Sequence, residues 1–409
     1  MLLKSEIEES YLLQQNKLKN SKEVMDREKS TLIETESNMV QIISGVRRCG
    51  KSTLLKLLMK NYERTAFLNF EDPRIFGFEV GDFSKLDDII PGDTEAWFFD
   101  EIQNVPKWEL YVRQLHDDGK KVFITGSNAS MLSKDLGTRL TGRHHNTELF
   151  PFSYIEYLTF KKEKTGIESY KKYLLKGGFP EFLTYENPET LQYLLKDIVY
   201  QDIAVRYGIR NSKTLVDITL FLLSNIGKET SYNSLKNTFE IGSANSVSDY
   251  LGWLEDSYLL FFVQKFAWSA KKRQINPKKV YAIDNGLVKS NTLSFSSDFG
   301  RLLENQVFLY LRATGKNIYY FRENKECDFL VFHQNQCVLP VQVCYELNND
   351  NKDREINGLI EALDFFDLKK GYIVTLDQED HFTINDKEIL CIPAHLFFSD
   401  RVLLHSFFI

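Results

Sequence analysis

The chain runs to 409 residues, too long for one ordinary domain and suited to two to four. Hydrophobic residues make up 43 % and charged residues 26 %, a globular composition that excludes long disorder, collagen and low-complexity architectures. A net charge of -6 excludes a protein that coats nucleic acid over its whole surface, but not one with a local basic patch.

The five cysteines, Cys49, Cys327, Cys337, Cys344 and Cys391, are odd in number and form no CxxC pair. Neither a disulfide framework nor a structural zinc site follows from them. Acids enter the first ten positions before any apolar stretch of signal length, and no window of about 18 residues is free of charge. The expected setting is a reducing cytoplasm without membrane insertion.

Residues 1–38 are polar and contain neither Gly nor Pro, which predicts an N-terminal helical segment. The apolar run Met39–Ser44, bounded by Gly45, predicts a buried strand. Thr65–Phe70, Glu95–Asp100 and Lys120–Thr125 predict three more, with helical stretches between them. That alternation predicts an α/β core with a parallel sheet over 39–150. Residues 151–223 read as helical, broken at Gly177-Gly178-Phe179-Pro180. Residues 224–290 read helix, turn, helix and then two strands, Leu259–Val263 and Lys279–Ile283, paired around a basic loop. That order predicts a winged helix. Residues 291–409 read as a last α/β unit, a helix from Gly300 followed by strands at Ile318–Arg322, Cys327–Phe332 and Cys337–Val343.

The strongest signal is Gly45-Val46-Arg47-Arg48-Cys49-Gly50-Lys51-Ser52, which fits G-x-x-x-x-G-K-[ST] between a predicted strand and a predicted helix. Glycines let backbone N–H groups curl around phosphates, and the helix that follows adds its positive end. Lys51 is expected on the β- and γ-phosphates of ATP. Ser52 is expected on Mg2+, with Thr53 beside it. Such a site needs an acid at the end of another buried strand. Trp97-Phe98-Phe99-Asp100-Glu101 supplies Asp100 for Mg2+ and Glu101 to orient or deprotonate the attacking water.

These stretches resemble the bacterial and archaeal AAA-superfamily ATPases that carry a C-terminal domain of unknown function related to restriction endonucleases. Leu68–Arg74, Asp100–Asn104, Thr125–Asn128, Leu140–Arg143, Gly177–Glu181 and Tyr281–Leu287 extend the resemblance along nearly the whole chain. It implies that Asn69 modulates the catalytic glutamate. It also implies that Ser127, with Asn128 as alternative, senses the γ-phosphate. Arg139 and Arg143 lie where an arginine stabilises transition-state charge, in cis or from a neighbouring subunit, or else binds a carboxylate.

Two further clusters stand out. Between Asp256 and Asp284 there is no acid but six cations, Lys265, Lys271, Lys272, Arg273, Lys278 and Lys279, with Phe266 and Trp268 interleaved. A winged helix with such a wing is a candidate duplex-DNA reader. In the last unit, a restriction-endonuclease-like layout needs an acid on the first helix, an Asp on a strand and E-x-K on the next. Glu304 and Asp328 fit. The third position reads Gln342-Val343-Cys344, with Glu346 as partial compensation, so the domain is expected to be degenerate and non-cutting. The expected whole is an ATP-hydrolysing switch or motor: AAA-type core, helical lid, winged helix and nuclease-like tail. It acts on DNA or a DNA-associated partner and assembles with copies of itself. The rivals are an ATP-gated nuclease with a migrated base and a nucleotide-locked module without turnover.

Overall fold

The computed structural model describes residues 1–19, 24–129, 142–209, 211–292 and 298–399. They divide into two units, residues 1–150 with Asp256–Tyr258, and residues 151–255 with 259–409.

The first unit opens with α1 (Lys4–Lys19). Then β1 (Val40–Ser44), α2 (Lys51–Met59), β2 (Thr65–Asn69), α3 (Phe83–Asp87), β3 (Ala96–Asp100), α4 (Trp108–Asp117), β4 (Lys121–Gly126) and β5 (His144–Glu148) alternate. Both faces of the central strands are covered, so β1 and β3 are buried at every position, as their unbroken apolar runs predict. The strand order is β2-β3-β4-β1-β5, and every pair is parallel. β4 therefore lies between the strand that leads into the glycine loop and the strand that ends in Asp100. Phe83 stacks on Tyr111 at 3.9 Å and Phe98 on Phe123 at 4.7 Å. Truncating one such buried ring typically costs about 3–5 kcal/mol. The polar strand β5 was not anticipated. It is an edge strand, where polar residues such as His144 and Glu148 are tolerated.

The second unit begins with α5 (Tyr154–Lys161), α6 (Ile167–Lys176), α7 (Pro180–Tyr185), α8 (Pro188–Asp197), a π-helical stretch Ile198–Val205 and α9 (Ser212–Leu223). Ser153 and Glu156 form a capping box that starts α5. Next come β6 (Glu229–Thr230), α10 (Tyr232–Thr238), α11 (Ala244–Asp256), β7 (Leu260–Lys265), α12 (Ala270–Ile275), β8 (Lys278–Ala282) and α13 (Asn285–Asn291). The last part holds α14 (Phe299–Arg312), β9 (Asn317–Arg322), β10 (Glu326–His333), β11 (Gln336–Val343), α15 (Lys352–Phe365), β12 (Lys370–Thr375), β13 (Asp380–Ile384), β14 (Lys387–Pro393) and α16 (Ala394–Phe397).

Two stretches that the resemblance left without a role meet here. Asp284 Oδ2 accepts from the Gly178 amide at 2.6 Å, and its Oδ1 caps α13 through Leu287. A Cβ on Gly178 would lie 2.2 Å from the Phe152 carbonyl, and one on Gly177 (φ 69°) 2.2 Å from Asp284. Only glycines fit that approach.

The predicted hairpin exists, β7 and β8 pairing antiparallel with β6 added beyond β8. It is not a separate domain, however. β7 pairs in parallel with β9, so one sheet of order β13-β14-β12-β11-β10-β9-β7-β8-β6 runs through the expected boundary near residue 290. The expected basic loop is largely a short helix, α12, capped by Ser269.

Candidate nucleotide site and a second ionic cluster

The loop after β1 needs its glycines. Gly45 sits at φ 153°, where a Cβ would lie 2.1 Å from the Leu149 carbonyl, and Gly50 at φ 106°. A buried arginine from the N-terminal segment holds the loop from outside: Arg27 Nη1 donates to the Cys49 carbonyl at 2.8 Å and Nη2 to the Phe150 carbonyl at 2.7 Å. Nothing in the motif spacing marks Arg27. Val46 and Cys49 are buried, and burial pushes the Cys49 thiol up. Arg47 pairs with Glu71 at 2.7 Å, while Arg48 takes the left-handed conformation (φ 62°) and is exposed. Thr53 follows in the first turn of α2.

Lys51 and Glu101 meet. Lys51 Nζ lies 3.2 Å from Glu101 Oε1 and donates to the carbonyls of Gly45 and Val46 at 3.1 and 3.2 Å. Burial alone would lower the lysine, but Glu101, with Asp100 behind it, outweighs burial and its pKa is raised. Glu101 answers the other way: burial opposes its charge, yet Lys51 and the amide of Gln103 hold its pKa below the usual value. Glu101 adopts the left-handed conformation (φ 52°), an arrangement that costs roughly 1–3 kcal/mol in a non-glycine residue and clusters at working sites.

Asp100 is buried at the end of β3. Its Oδ1 accepts from the Thr125 hydroxyl at 2.5 Å, and the same hydroxyl accepts from the Glu101 amide at 3.0 Å. Burial, then Glu101, raises its pKa. Its Oδ2 is buried with no hydrogen-bond partner. Asp100 and Ser52 line one cavity of about 370 Å³. An orphaned carboxylate oxygen beside a serine hydroxyl fits a hard, oxygen-seeking cation such as Mg2+.

Ser127 stands where a sensor is expected, buried just past β4, with Asn128 also buried. What connects it to the glutamate is a residue that sequence reasoning passed over. The Gln103 amide nitrogen donates to Glu101 Oε2 and, at 3.1 Å, to Ser127 Oγ. Gln103 Oε1 is buried without a partner. Asn69, expected in that modulating role, lines the same cavity as Ser52 and Asp100 but makes no hydrogen bond to Glu101. Its Oδ1 accepts from the Glu71 amide at 2.8 Å, closing the turn that follows β2.

Arg143 is not brought to the phosphate loop of its own chain. Its carbonyl accepts from the Val40 amide at 3.0 Å, at the end of β1 remote from Gly45, and its guanidinium holds Asp117 at 2.6 Å. Arg139 lies outside the described residues.

The basic cluster in the second unit divides. Lys271 and Lys272 are exposed on α12. Trp268 beside them is 73 % exposed. Arg273 is partly engaged, donating to the Ala267 carbonyl at 2.7 Å. Lys265 approaches Glu323 at 3.9 Å, and Lys278 donates to the Tyr232 hydroxyl at 2.7 Å. Lys279 does not belong to that surface. Alternation along β8 sends it inward, where its ammonium lies 2.8 Å from Asp328, 3.1 Å from Glu304 and 2.7 Å from Glu326.

Glu304 and Asp328 are thus brought together as expected, around a lysine that comes from the basic cluster on β8, the kind of displaced cation that the gated-nuclease rival calls for. The Tyr281 hydroxyl donates to Glu304 at 2.6 Å and the Val343 amide to Asp328 Oδ2 at 3.0 Å. Gln342 bridges: its Oε1 accepts from the Asp328 amide at 3.1 Å and its Nε2 donates to Glu355 at 2.6 Å. Burial pushes the Cys344 thiol up to about 11, so it is neutral. β11 stops at Val343, so Glu346 lies past the strand and is exposed.

Three families match the chain in sequence: an AAA domain over residues 37–158, a domain of unknown function (DUF8612) over 167–297 and a second (DUF4143) over 299–397. An uncharacterized protein of Methanocaldococcus jannaschii is 35 % identical over 86 % of this chain and 86 % of its own length. An uncharacterized protein of Haemophilus influenzae is 30 % identical over 87 % of this chain and 94 % of its own. A Walker-type ATPase of Pyrococcus abyssi aligns in structure over 65 % of this chain and 95 % of that one, at 15 % identity and a TM-score of 0.44.

Proposed function

We propose that the chain, which belongs to one family with these archaeal and bacterial proteins and matches an AAA domain over residues 37–158, binds ATP with Mg2+ and hydrolyses it to ADP and phosphate. The observation that carries this reading is the contact between Lys51, on the loop after β1, and Glu101, at the end of β3. A module that only locks onto nucleotide needs the lysine and the loop; it does not need a buried glutamate held in a strained conformation. Lys51 exchanges the Gly45 and Val46 carbonyls for phosphate oxygens. Ser52 and Asp100 would hold Mg2+, which would neutralise charge on the phosphates. Glu101 orients the attacking water and draws its proton.

In this reading Gln103, and not Asn69, positions the glutamate. Its amide keeps Glu101 in register with Ser127, and its orphaned Oε1 is an acceptor for the attacking water. Gln103→Ala should lower kcat by roughly 10²-fold, the usual cost of a slight misplacement, with little change in KM. Phosphate-release kinetics would exclude this role if kcat were unchanged. Arg143 binds the Asp117 carboxylate, the alternative role open to it, and could reach a phosphate only in a neighbouring copy.

A second reading concerns α12. The order α9, β6, α10, α11, β7, β8, with β6 beside β8, supports a winged-helix reading, and Lys271, Lys272 and Trp268 stand exposed between β7 and β8. We propose duplex DNA as the ligand of that tip. Changing Lys271 and Lys272 to Ala should flatten the slope of log affinity against log salt by about two. An unchanged slope would remove the tip from any DNA interface.

A further inference from the structure

We infer that Lys279 is the resident cation of the cleft in the second unit: its ammonium fills a three-carboxylate cage that would otherwise take a divalent metal ion.

The cage is real in geometry. Oxygens of Glu304 on α14 and of Glu326 and Asp328 on β10 converge within 3.1 Å of one point, and the Lys279 nitrogen sits there. The side chain is 4 % exposed. An ammonium has three protons and no acceptor. Each proton here has its own carboxylate, so none is left to position a water or steady a leaving group. A divalent ion entering the cage would have to expel Lys279 or sit against its charge. The first leaves an ammonium buried without a partner, and the second sets two cations in contact; both are strongly unfavourable.

Glu304, Glu326 and Asp328 line a cleft of about 780 Å³ in which further acids accompany Arg301, Arg322, Lys325 and Arg354. The cleft performs no metal-dependent phosphodiester hydrolysis, since that chemistry needs an ion held by clustered anionic oxygens. The conclusion goes beyond the ATPase reading and does not depend on it.

The test is titration of the nucleotide-free full chain with Mn2+, followed by calorimetry and thermal unfolding. The wild type should take up no Mn2+ in the cleft. Lys279→Ala should gain one site, and Mn2+ should raise its Tm by a few degrees, because a ligand that binds only the folded state stabilises it. Adding Asp328→Asn to Lys279→Ala should abolish the gained site. Lys279→Arg, which keeps the charge, should gain none. A Lys279→Ala protein that unfolds without metal and is recovered by Mn2+ supports the inference equally. A folded Lys279→Ala protein that binds no Mn2+ overturns it. So does wild-type Mn2+ uptake that vanishes in Asp328→Asn, and this arm decides the matter alone should Lys279→Ala not fold in either buffer.

Discussion

Glu101→Gln is expected to bind ATP as tightly as the wild type and to release phosphate about 10²–10⁴-fold more slowly, the usual contribution of a positioned general base. The substitution is nearly isosteric, so the new amide oxygen can keep the Lys51 contact, while the Gln103 amide must turn its own oxygen toward the new NH2 group. What it removes is the negative charge that Lys51 and Gln103 hold below its usual pKa. A neutral amide can no longer take the proton of the attacking water, whereas phosphate binding draws on the loop, Lys51 and the proposed Mg2+ position rather than on Glu101. The two readouts therefore separate. Calorimetry with ATP should be unchanged, and phosphate release should collapse. Loss of both together would mean that Glu101 supports the loop and has no part in turnover.

Lys51→Ala is expected to weaken ATP by at least about a hundredfold. A hydrogen bond to a charged group contributes about 1.5–3 kcal/mol, and the ammonium is positioned to make two of them to terminal phosphates. Without nucleotide the same ammonium is satisfied by the Gly45 and Val46 carbonyls and by Glu101. Removing it also leaves Glu101 buried without its strongest favourable partner, so the variant should lose stability near neutral pH. The sign follows from the direction of the shift. A carboxylate whose pKa is depressed on folding stabilises the fold above its unfolded pKa, and that contribution fades as pH falls. The wild-type advantage over Lys51→Ala should therefore shrink under acid. Calorimetric titration and circular dichroism across pH check the two halves separately.

The parts of the site legible in the sequence are those whose chemistry is local. Gly45 to Ser52 specify their own loop, and Asp100 and Glu101 close an apolar run whose burial the run itself predicts. The parts that were not legible depend on what lies opposite. Arg27 reaches Cys49 across the fold from a segment with no motif. Gln103 was in view, two residues past Glu101, but only the approach of β4 gives its amide the Ser127 hydroxyl to bridge. Asn69 is at the predicted strand end, yet its short side chain closes its own turn, a local competition that sequence position does not reveal. β5 was missed because an edge strand has no need of an apolar run. Lys279 is the sharpest case. It stands beside Lys278 in a run of cations, and alternation alone sets the two on opposite faces. Which face is covered follows only from the pairing of β7 with β9, a contact between segments more than fifty residues apart.

Phosphate release from ATP by the purified full chain is the most direct test of ATP hydrolysis. The expected result is turnover that saturates with ATP, requires magnesium, stops when EDTA removes it and is absent from Lys51→Ala. A wild-type rate no higher than that of Lys51→Ala, with magnesium and saturating ATP present, would contradict the account.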